Sequence, residues 1–430
     1  MVEPRVMVEP RVMVQPIFMI KIGTCMVDIA TVDSQISQHG HFCLLDWMLA
    51  KNFIPYADYE SWRYGRIPHL DNCFTLTETD LQSFIQQAQQ ACTDLKLIQE
   101  SQEFYSWDAR RESLKISGDA QQHQFLGARW MARRDVPQLD LFMDNSAAIV
   151  ENQLLDYLVS RQFQSAQDAL QKLARLNARH SKLGGYQDLI NYGLHCTAQS
   201  QITSDMLRAE AQGLDQEVTP LAREQLGSKS RDYLAYAWRR LAENLAQQPF
   251  SANEPELHSS YAYLQIPDWQ ALCRCLEQEP QLCNSPILIT RLAEAYLHCQ
   301  QLNVFCLLWG LLFERFPEEG EQLIGLKGGS LLEKWDQFLA LDEEWPAEVF
   351  LGFLLIQQPG LLAVLDNLPV LKKAGVQNPI NRITLDLIRA RLAEADEKPH
   401  REALKSTSPA MLSFYLNKRD WYASINRHRF

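Results

Sequence analysis

Residues 286–324, PILITRLAEAYLHCQQLNVFCLLWGLLFERFPEEGEQLI, decide the fold class. Apolar residues recur in the first half at i, i+3, i+4, i+7 and i+8, which is the spacing of one helix face. They are Ile289, Leu292, Ala293, Tyr296 and Leu297. After a turn near residues 300–303, a second helix carries another apolar face and ends before Pro317. Neither helix can bury its face alone, so the pair must pack on neighbouring helices, as in a repeat array.

The order of residue types in this pair resembles the tetratricopeptide repeat (TPR), a helix pair of about 34 residues with a spaced Leu, small residue, Tyr and closing Pro. The matching residues are Leu292, Ala293, Tyr296 and Pro317. The chain departs from the family pattern in the second helix, where Phe305 and Leu312 replace small residues. Large side chains there force the two helices apart. The resemblance therefore implies a TPR-like but degenerate array.

Two other segments have the same pattern. Residues 152–180 follow the repeat order, and here a small residue, Ala166, is present in the second helix. Residues 260–280 form a third pair, whose Ala-Tyr-Leu at position 262 recurs at position 295, an offset of 33 residues. Amphipathic segments bounded by Pro or Gly continue to about residue 416. The sequence therefore predicts an all-α protein with an irregular TPR-like α-solenoid of antiparallel helix pairs over residues 146–430.

The first 145 residues have a different character. Residues 1–40 open with MVEPRV repeated, and we expect a disordered extension or a start upstream of the one that the cell uses. Residues 41–145 form a mixed, mostly helical N-terminal region. Thr77 and Asp80 predict a capped helix start, and residues 103–107 and 113–117 predict a short hairpin. A further helix is expected through Phe125, Ala128, Arg129 and Trp130, ending before Pro137.

Composition limits the classes of function. The chain has 430 residues, of which 46% are hydrophobic and 22% charged, as in soluble globular proteins. A net charge of −12 makes nucleic acid an improbable partner. None of the ten cysteines forms a CxxC motif, which favours free thiols in a reducing, cytoplasmic and, from the glutamine-rich acidic composition, bacterial setting. No apolar run reaches the 18 or more residues of a membrane span, so we expect no membrane partner.

Residues 62–71, WRYGRIPHLD, are the best candidate for a recognition surface, because Arg and aromatic residues are enriched at binding hot spots. A second cluster lies near Trp130. The candidate partner-binding residues are Trp62, Arg63, Tyr64, Arg66, Arg129, Arg133 and Arg134. The alternative is that the aromatic residues lie in the core and the arginines extend beside them to solvent.

A catalytic or metal site is not indicated. Cysteines and histidines cluster between residues 273 and 306, but Cys273 and Cys275 would point ~200° apart on one helix, since each residue advances ~100°. Adjacent His298 and Cys299 face different directions, so they do not form a nucleophile–base pair. Phosphate-loop, dinucleotide, zinc-protease and serine-hydrolase motifs are missing from the sequence. We therefore expect no catalytic residue, no metal and no cofactor.

The sequence leads to two hypotheses about function and to a third, weaker one. The first is a scaffold or adaptor that binds another protein through the repeat surface. The alternative is an enzyme or small-ligand-binding protein with its site in the N-terminal Arg/Trp region. A deep polar pocket where Arg63, Arg66, Arg129 or Arg133 converge would favour this alternative, and exposed, separate arginines would favour the adaptor. The third is nucleic-acid binding by the basic tail, residues 415–430, which otherwise acts as a polar cap on the last repeat.

Overall fold

The computed structural model describes residues 26–39, 41–107, 112–131, 143–266, 268–325, 329–341 and 345–427. These residues are predominantly helical, which confirms the all-α class predicted from the sequence. The repeated hexapeptide at the start of the chain lies outside the described residues.

The N-terminal unit, residues 26–131, combines short helices with two small sheets. Its helices are α1 (Ile29–His39), α2 (Leu44–Ala50), α3 (Tyr56–Arg63), a 3₁₀ turn (Leu70–Cys73), α4 (Glu78–Asp94) and α5 (Ala120–Gly127). Its strands are β1 (Ile98–Glu100), β2 (Phe104–Tyr105), β3 (Ser113–Leu114) and β4 (Arg129–Met131). Antiparallel pairs form between β1 and β4 and between β2 and β3, and the second pair confirms the predicted hairpin.

Helix α4 begins where the capping pattern predicts. The Thr77 hydroxyl accepts a hydrogen bond from the Asp80 backbone N–H at 3.2 Å, which satisfies one of the free donors of the first turn. Its apolar face is buried, and α1 packs against it with Val32 fully buried. The disorder expected through residue 40 therefore does not hold for α1.

The helix expected through Phe125, Ala128, Arg129 and Trp130 is present at Phe125 but is wrong from Ala128 onward. Helix α5 ends at Gly127, and the next residues form β4, which pairs Met131 with Ile98. On its other side, Trp130 exchanges two backbone hydrogen bonds of 2.8 Å with Phe42. The sequence pattern missed this because the partner segments lie about 30 and 90 residues away, beyond the reach of local periodicity.

The described residues between 143 and 427 form a succession of helices, called the array below, in which each helix packs on neighbours in the chain. Its first helices are α6 (Met143–Val159), α7 (Phe163–Leu176), α8 (Leu183–Ala198), α9 (Leu207–Gly213), a π-helical turn (Leu214–Val218), α10 (Thr219–Leu226), a 3₁₀ turn (Gly227–Lys229) and α11 (Ser230–Leu245). The middle helices are a 3₁₀ turn (Pro255–Leu257), α12 (Ser259–Leu264), α13 (Trp269–Glu277), a 3₁₀ turn (Leu282–Asn284), α14 (Pro286–His298), α15 (Leu302–Arg315) and α16 (Pro317–Ile324). The last are α17 (Gly329–Leu339), a 3₁₀ turn (Ala347–Val349), α18 (Phe350–Gln357), α19 (Leu361–Asn367), α20 (Pro369–Ala374), α21 (Pro379–Leu392), α22 (Lys398–Thr407) and α23 (Pro409–Arg427).

The three helix pairs predicted from the sequence are present. They are α6 with α7, α12 with α13, and α14 with α15, and the helices of each pair are in contact. Small residues lie at close contacts, since Ala166 is fully buried on α7 and a Cβ at Gly193 of α8 would lie 2.2 Å from the Phe163 ring. Such contacts let helix backbones approach closely.

Two hydrophobic cores run along the chain. The first is built from residues between 27 and 266, so the N-terminal unit and the first helices of the array share it. The second is built from residues between 250 and 415. The domain boundaries at residues 40 and 145 stay predictions. In the described chain, no single helix has both the length and the apolar character to cross a bilayer, whereas Ala347–Gln357 and Leu361–Asn367, bent by 111°, meet those criteria jointly.

Candidate binding site at the junction of the N-terminal unit and the array

Helix α3 docks on the array through Glu60. Its carboxylate accepts a hydrogen bond from Arg161 at 3.0 Å and another from Arg239, and its side chain is only 14% exposed. Arg161 lies in the turn after α6 and Arg239 lies on α11, so one acid of the N-terminal unit holds two elements of the array. Partly buried ion pairs of this kind are worth more than exposed pairs, because water screens them less.

A polar stripe on α11 faces α3. Asp232, Tyr236 and Arg239 follow the i, i+4, i+7 spacing of one helix face. The buried Asp232 carboxylate accepts hydrogen bonds from the hydroxyls of Tyr56 at 3.2 Å and Tyr59 at 3.3 Å. Burial, and then the Asp232 charge, raise the pKa of both tyrosines, so both remain neutral donors.

Arg161 occupies a strained backbone position at this junction. Its φ of +61° is in the left-handed region, which usually favours glycine at a helix end. Its guanidinium donates to the Tyr64 hydroxyl at 2.6 Å and stacks 4.8 Å from the Tyr236 ring centroid. The side-chain contacts explain why an arginine is kept where glycine would be less strained.

A cavity of about 100 Å³ lies beside these contacts. Its walls come from both parts of the chain. The N-terminal unit contributes Cys43, Asp46, Tyr59, Arg63, Gln102, Glu103, Phe104, Tyr105, Ser106, Trp107 and Arg129. The array contributes Asp156, Val159, Ser160, Ser228, Lys229, Arg231 and Asp232. Most of these side chains are polar, so the cavity suits a polar ligand better than an apolar one.

In the part of the chain that the structure describes, two arginines line this cavity without an acidic partner. Arg63 is the last residue of α3, and its guanidinium donates only to neutral oxygens, the Tyr59 hydroxyl at 3.1 Å and the Tyr105 carbonyl at 3.4 Å. Arg129 is fixed by β4, and its Nε is buried without a hydrogen-bond partner among the described residues. No carboxylate of the described chain lies within 4.0 Å of either guanidinium. Both positive charges are therefore available to a ligand.

The thiol in the cavity wall is not suited to nucleophilic chemistry. Cys43 donates a hydrogen bond to the Leu126 carbonyl at 3.6 Å. Burial raises the pKa of Cys43 to about 12, so the thiolate, which is the nucleophilic form, is rare at neutral pH.

The structure separates the residues of the predicted recognition strip. Trp62 is fully buried, and its indole N–H donates to the Lys115 carbonyl at 2.9 Å. Tyr64 is half-buried against Arg161, and Arg66 is exposed with its guanidinium 5.2 Å from the Tyr64 ring centroid. Arg63 and Arg129 meet at the cavity, as described above. Arg133 and Arg134 lie outside the described residues.

Sequence reasoning did not identify the array's half of the cavity. Arg231 and Asp232 lie in a segment whose pattern predicts only an amphipathic helix from Ser230 to Gln247, and Lys229 precedes it. The polar stripe beginning at Asp232 was a usable signal, because an acid, an aromatic residue and a base at one helical spacing indicate a contact face rather than a solvated one. The stripe contacts α3, which lies about 170 residues earlier in the chain, and the sequence pattern does not identify this partner.

A second polar cluster, behind a groove of about 580 Å³, is structural. Arg291 donates to the Ser260 hydroxyl at 2.8 Å, Ser260 bonds His258 Nδ1 at 2.8 Å, and His258 Nε2 lies 3.3 Å from Glu279. Although serine, histidine and glutamate are the residue types of a hydrolase triad, Ser260 is fully buried and no substrate can reach it. The chain of bonds instead links a buried arginine to a carboxylate.

Of the cysteines and histidines between residues 273 and 306, Cys273 and Cys299 lie within hydrogen-bonding distance of each other. Within the described ranges, no group of three or more His, Cys, Asp or Glu residues is placed to hold a metal ion, and the nine described cysteines are free. Of the basic tail, helix α23 is described as far as Arg427, and the side chains from residue 419 onward lie outside the description.

Comparisons with known proteins add no relative. Neither a protein family, a curated protein nor a solved structure matches this chain. The function is therefore argued from the geometry of the junction.

Proposed function

We propose that this protein binds a small ligand with an anionic group in the junction cavity, through Arg63 and Arg129. The observation that supports this is the convergence of two guanidinium groups, each without a carboxylate partner in the described chain, on one enclosed cavity. An unpaired charge removed from water is costly, so evolution retains it where a counter-charge arrives with a ligand. Guanidinium also matches the planar geometry of carboxylate and the oxygens of phosphate.

Neutral groups around the two arginines support the same proposal. The Tyr59 hydroxyl, which donates its proton to Asp232, accepts a hydrogen bond from Arg63 at 3.1 Å and so fixes that guanidinium in the wall. The ring of Trp107 lies 4.8 Å from the Arg63 guanidinium carbon and holds that side chain in place. A site fixed in this way needs little rearrangement when the ligand enters.

In this proposal the array is an irregular TPR-like solenoid with a supporting role. Helix pairs lie at the three predicted places, and the first core continues from the N-terminal unit into α6–α12. Such a core holds the two halves of the cavity together. We propose binding without catalysis, since the thiol in the wall is neutral and the buried Ser260 is out of reach of a substrate.

The adaptor hypothesis has less support. Of its candidate contact residues at 62–71, Trp62 is buried, and of the two arginines in that strip only Arg66 is exposed. A protein partner that binds through Arg66 remains the alternative outcome of the experiment below.

The test compares three arginine variants by isothermal titration calorimetry and thermal shift, with sodium acetate and inorganic phosphate as probes. Arg63→Gln and Arg129→Gln each remove one charged hydrogen-bond donor, worth about 1.5–3 kcal/mol, so affinity should fall about 10- to 150-fold. Arg66→Gln is the matched control, because Arg66 is on the same strip but does not line the cavity. If all three variants bind the probes as the wild type does, the proposal is wrong. If only Arg66→Gln loses a protein partner in a pull-down, the adaptor hypothesis is favoured.

A further inference from the structure

The size of the junction cavity limits the part of a ligand that it can enclose. An engineered cavity of about 150 Å³ in another protein holds benzene, which has six heavy atoms. By the same scale, about 100 Å³ holds about four heavy atoms. Acetate, phosphate and the backbone atoms of an amino acid, with their ammonium and carboxylate groups, all have this size. Size alone does not choose among them.

The charges of the lining residues favour one of these three ligands. Among the described residues, four cationic side chains line the cavity, Arg63, Arg129, Lys229 and Arg231, and four acidic ones, Asp46, Glu103, Asp156 and Asp232, so the formal charge of this described lining is zero. A dianionic phosphate would leave two net negative charges in an enclosed space. A zwitterion leaves none, which avoids the cost of an uncompensated charge in a poorly solvated site.

Unpaired charges of both signs face the cavity. Lys229 pairs with Asp156 at 2.8 Å, and these two charges cancel. Arg231 is shared between Asp232 at 3.3 Å and Asp46 at 3.7 Å, so this group keeps one net negative charge.

Glu103 adds a second uncompensated acid. Its carboxylate accepts a hydrogen bond from the Tyr105 hydroxyl and has no cation within 4.0 Å in the described chain. Against these two negative charges stand the two unpaired guanidinium groups of Arg63 and Arg129. The described wall therefore carries both positive and negative groups without a counter-charge, and a single dipolar ligand could bind one of each.

We infer that the ligand is a small zwitterion with the ammonium and carboxylate groups of an α-amino acid, its carboxylate on Arg63 and Arg129 and its ammonium toward Glu103 and Asp46. Glu103 and Tyr105 are exposed and mark the mouth of the cavity, so a side chain on the ligand would extend outward there. This inference rests on the proposed function and names the chemical class that the same site accepts.

The experiment measures four probes by calorimetry on the full chain at pH 7: glycine, sodium acetate, methylammonium chloride and inorganic phosphate. Glycine should bind at least fivefold more tightly than acetate, since it adds the ammonium contact, and methylammonium alone should not bind. Glu103→Gln should weaken glycine binding about two- to fivefold, the range of a solvent-exposed ion pair, and leave acetate binding unchanged. Glu100→Gln is the control, because Glu100 is also exposed but does not line the cavity.

The other possible results separate the zwitterion from the proposed function. If acetate or phosphate binds as tightly as glycine, or Glu103→Gln weakens all probes equally, the zwitterion is wrong and anion binding at the arginines stands. If none of the four probes binds, the proposed function itself fails, and the inference fails with it.

Discussion

Replacing Arg161 by glycine and by alanine would separate the backbone strain of its turn from the docking contacts of its side chain. A residue other than glycine costs about 1 kcal/mol in the left-handed region. Glu394 provides a matched reference, because its φ is +53°, it ends α21 in the same way, and its side chain is exposed. Glu394→Gly should therefore raise the free energy of unfolding by about 1 kcal/mol, and Glu394→Ala should change it little.

The side chain of Arg161 stabilises the fold by more than this strain costs. It makes two hydrogen bonds, to the Glu60 carboxylate and to the Tyr64 hydroxyl, and its guanidinium is only 16% exposed. Hydrogen bonds to charged groups are worth about 1.5–3 kcal/mol each, but Glu60 keeps a second partner in Arg239, which limits the loss. Arg161→Ala should therefore lower the free energy of unfolding by about 2–4 kcal/mol, and Arg161→Gly by about 1 kcal/mol less than Arg161→Ala.

Urea denaturation followed by tryptophan fluorescence measures these differences, and hydrogen-exchange mass spectrometry of the α3 peptide locates them. The expected pattern is faster exchange in α3 for both Arg161 variants and unchanged exchange there for both Glu394 variants. If Arg161→Ala is within about 0.5 kcal/mol of Glu394→Ala, the network around Glu60 does not hold α3 on the array, and the reasoning is refuted.

Three further outcomes are expected. Gly193→Ala should lower the free energy of unfolding by about 1–3 kcal/mol, because its Cβ would lie 2.2 Å from the Phe163 ring. Gly184→Ala on the same helix is the control and should raise it by up to about 1 kcal/mol, because its Cβ would have nothing within 4 Å. Urea denaturation midpoints measure both, and equal midpoints would contradict the packing at Gly193. Burial lowers the pKa of His258, so below about pH 6.5 the unfolded chain binds a proton that the native state does not. The free energy of unfolding should therefore fall from pH 7 to pH 5, and it should fall less in His258→Gln. Equal slopes of this free energy against pH in the two proteins would rule the effect out. Burial also raises the pKa of Cys43 to about 12, so iodoacetamide at pH 8 should label Cys43 only in urea, as mass spectrometry of its peptide would show; rapid labelling of the native protein would contradict it.

The sequence was informative where structure is local. The cap at Thr77 and the helix pairs could be predicted because a hydroxyl three residues before a free N–H, or an apolar face at helical spacing, has the same meaning in any protein. It misled at Arg129, whose neighbours have a helical spacing but form a strand. Pairing with residues 98–100 and Phe42 decides that conformation, and neither partner is visible in a local window.

Only two of the described residues that line the candidate site were predicted from the sequence, for a related reason. Arg63 and Arg129 were singled out because arginine beside aromatic residues has few uses apart from a core edge or a binding site. Their grouping with Trp62 and Arg66 was a matter of adjacency in sequence, and α3 turns those neighbours in different directions. The Asp232 side of the cavity depends on contacts across more than 170 residues, which only the folded chain reveals.

The junction also sets an order of events during synthesis. The amide of Asn52 donates to the His298 carbonyl at 2.9 Å across 246 residues of sequence, and Tyr56 reaches Asp232 across 176. At translation rates of about 5–20 residues per second, the hydroxyl of Tyr56 waits about 9–35 s for its acceptor, and the amide of Asn52 about 12–50 s. During that interval the nascent N-terminal unit exposes the surface that α11 later covers, so this surface is completed only after the array has been made.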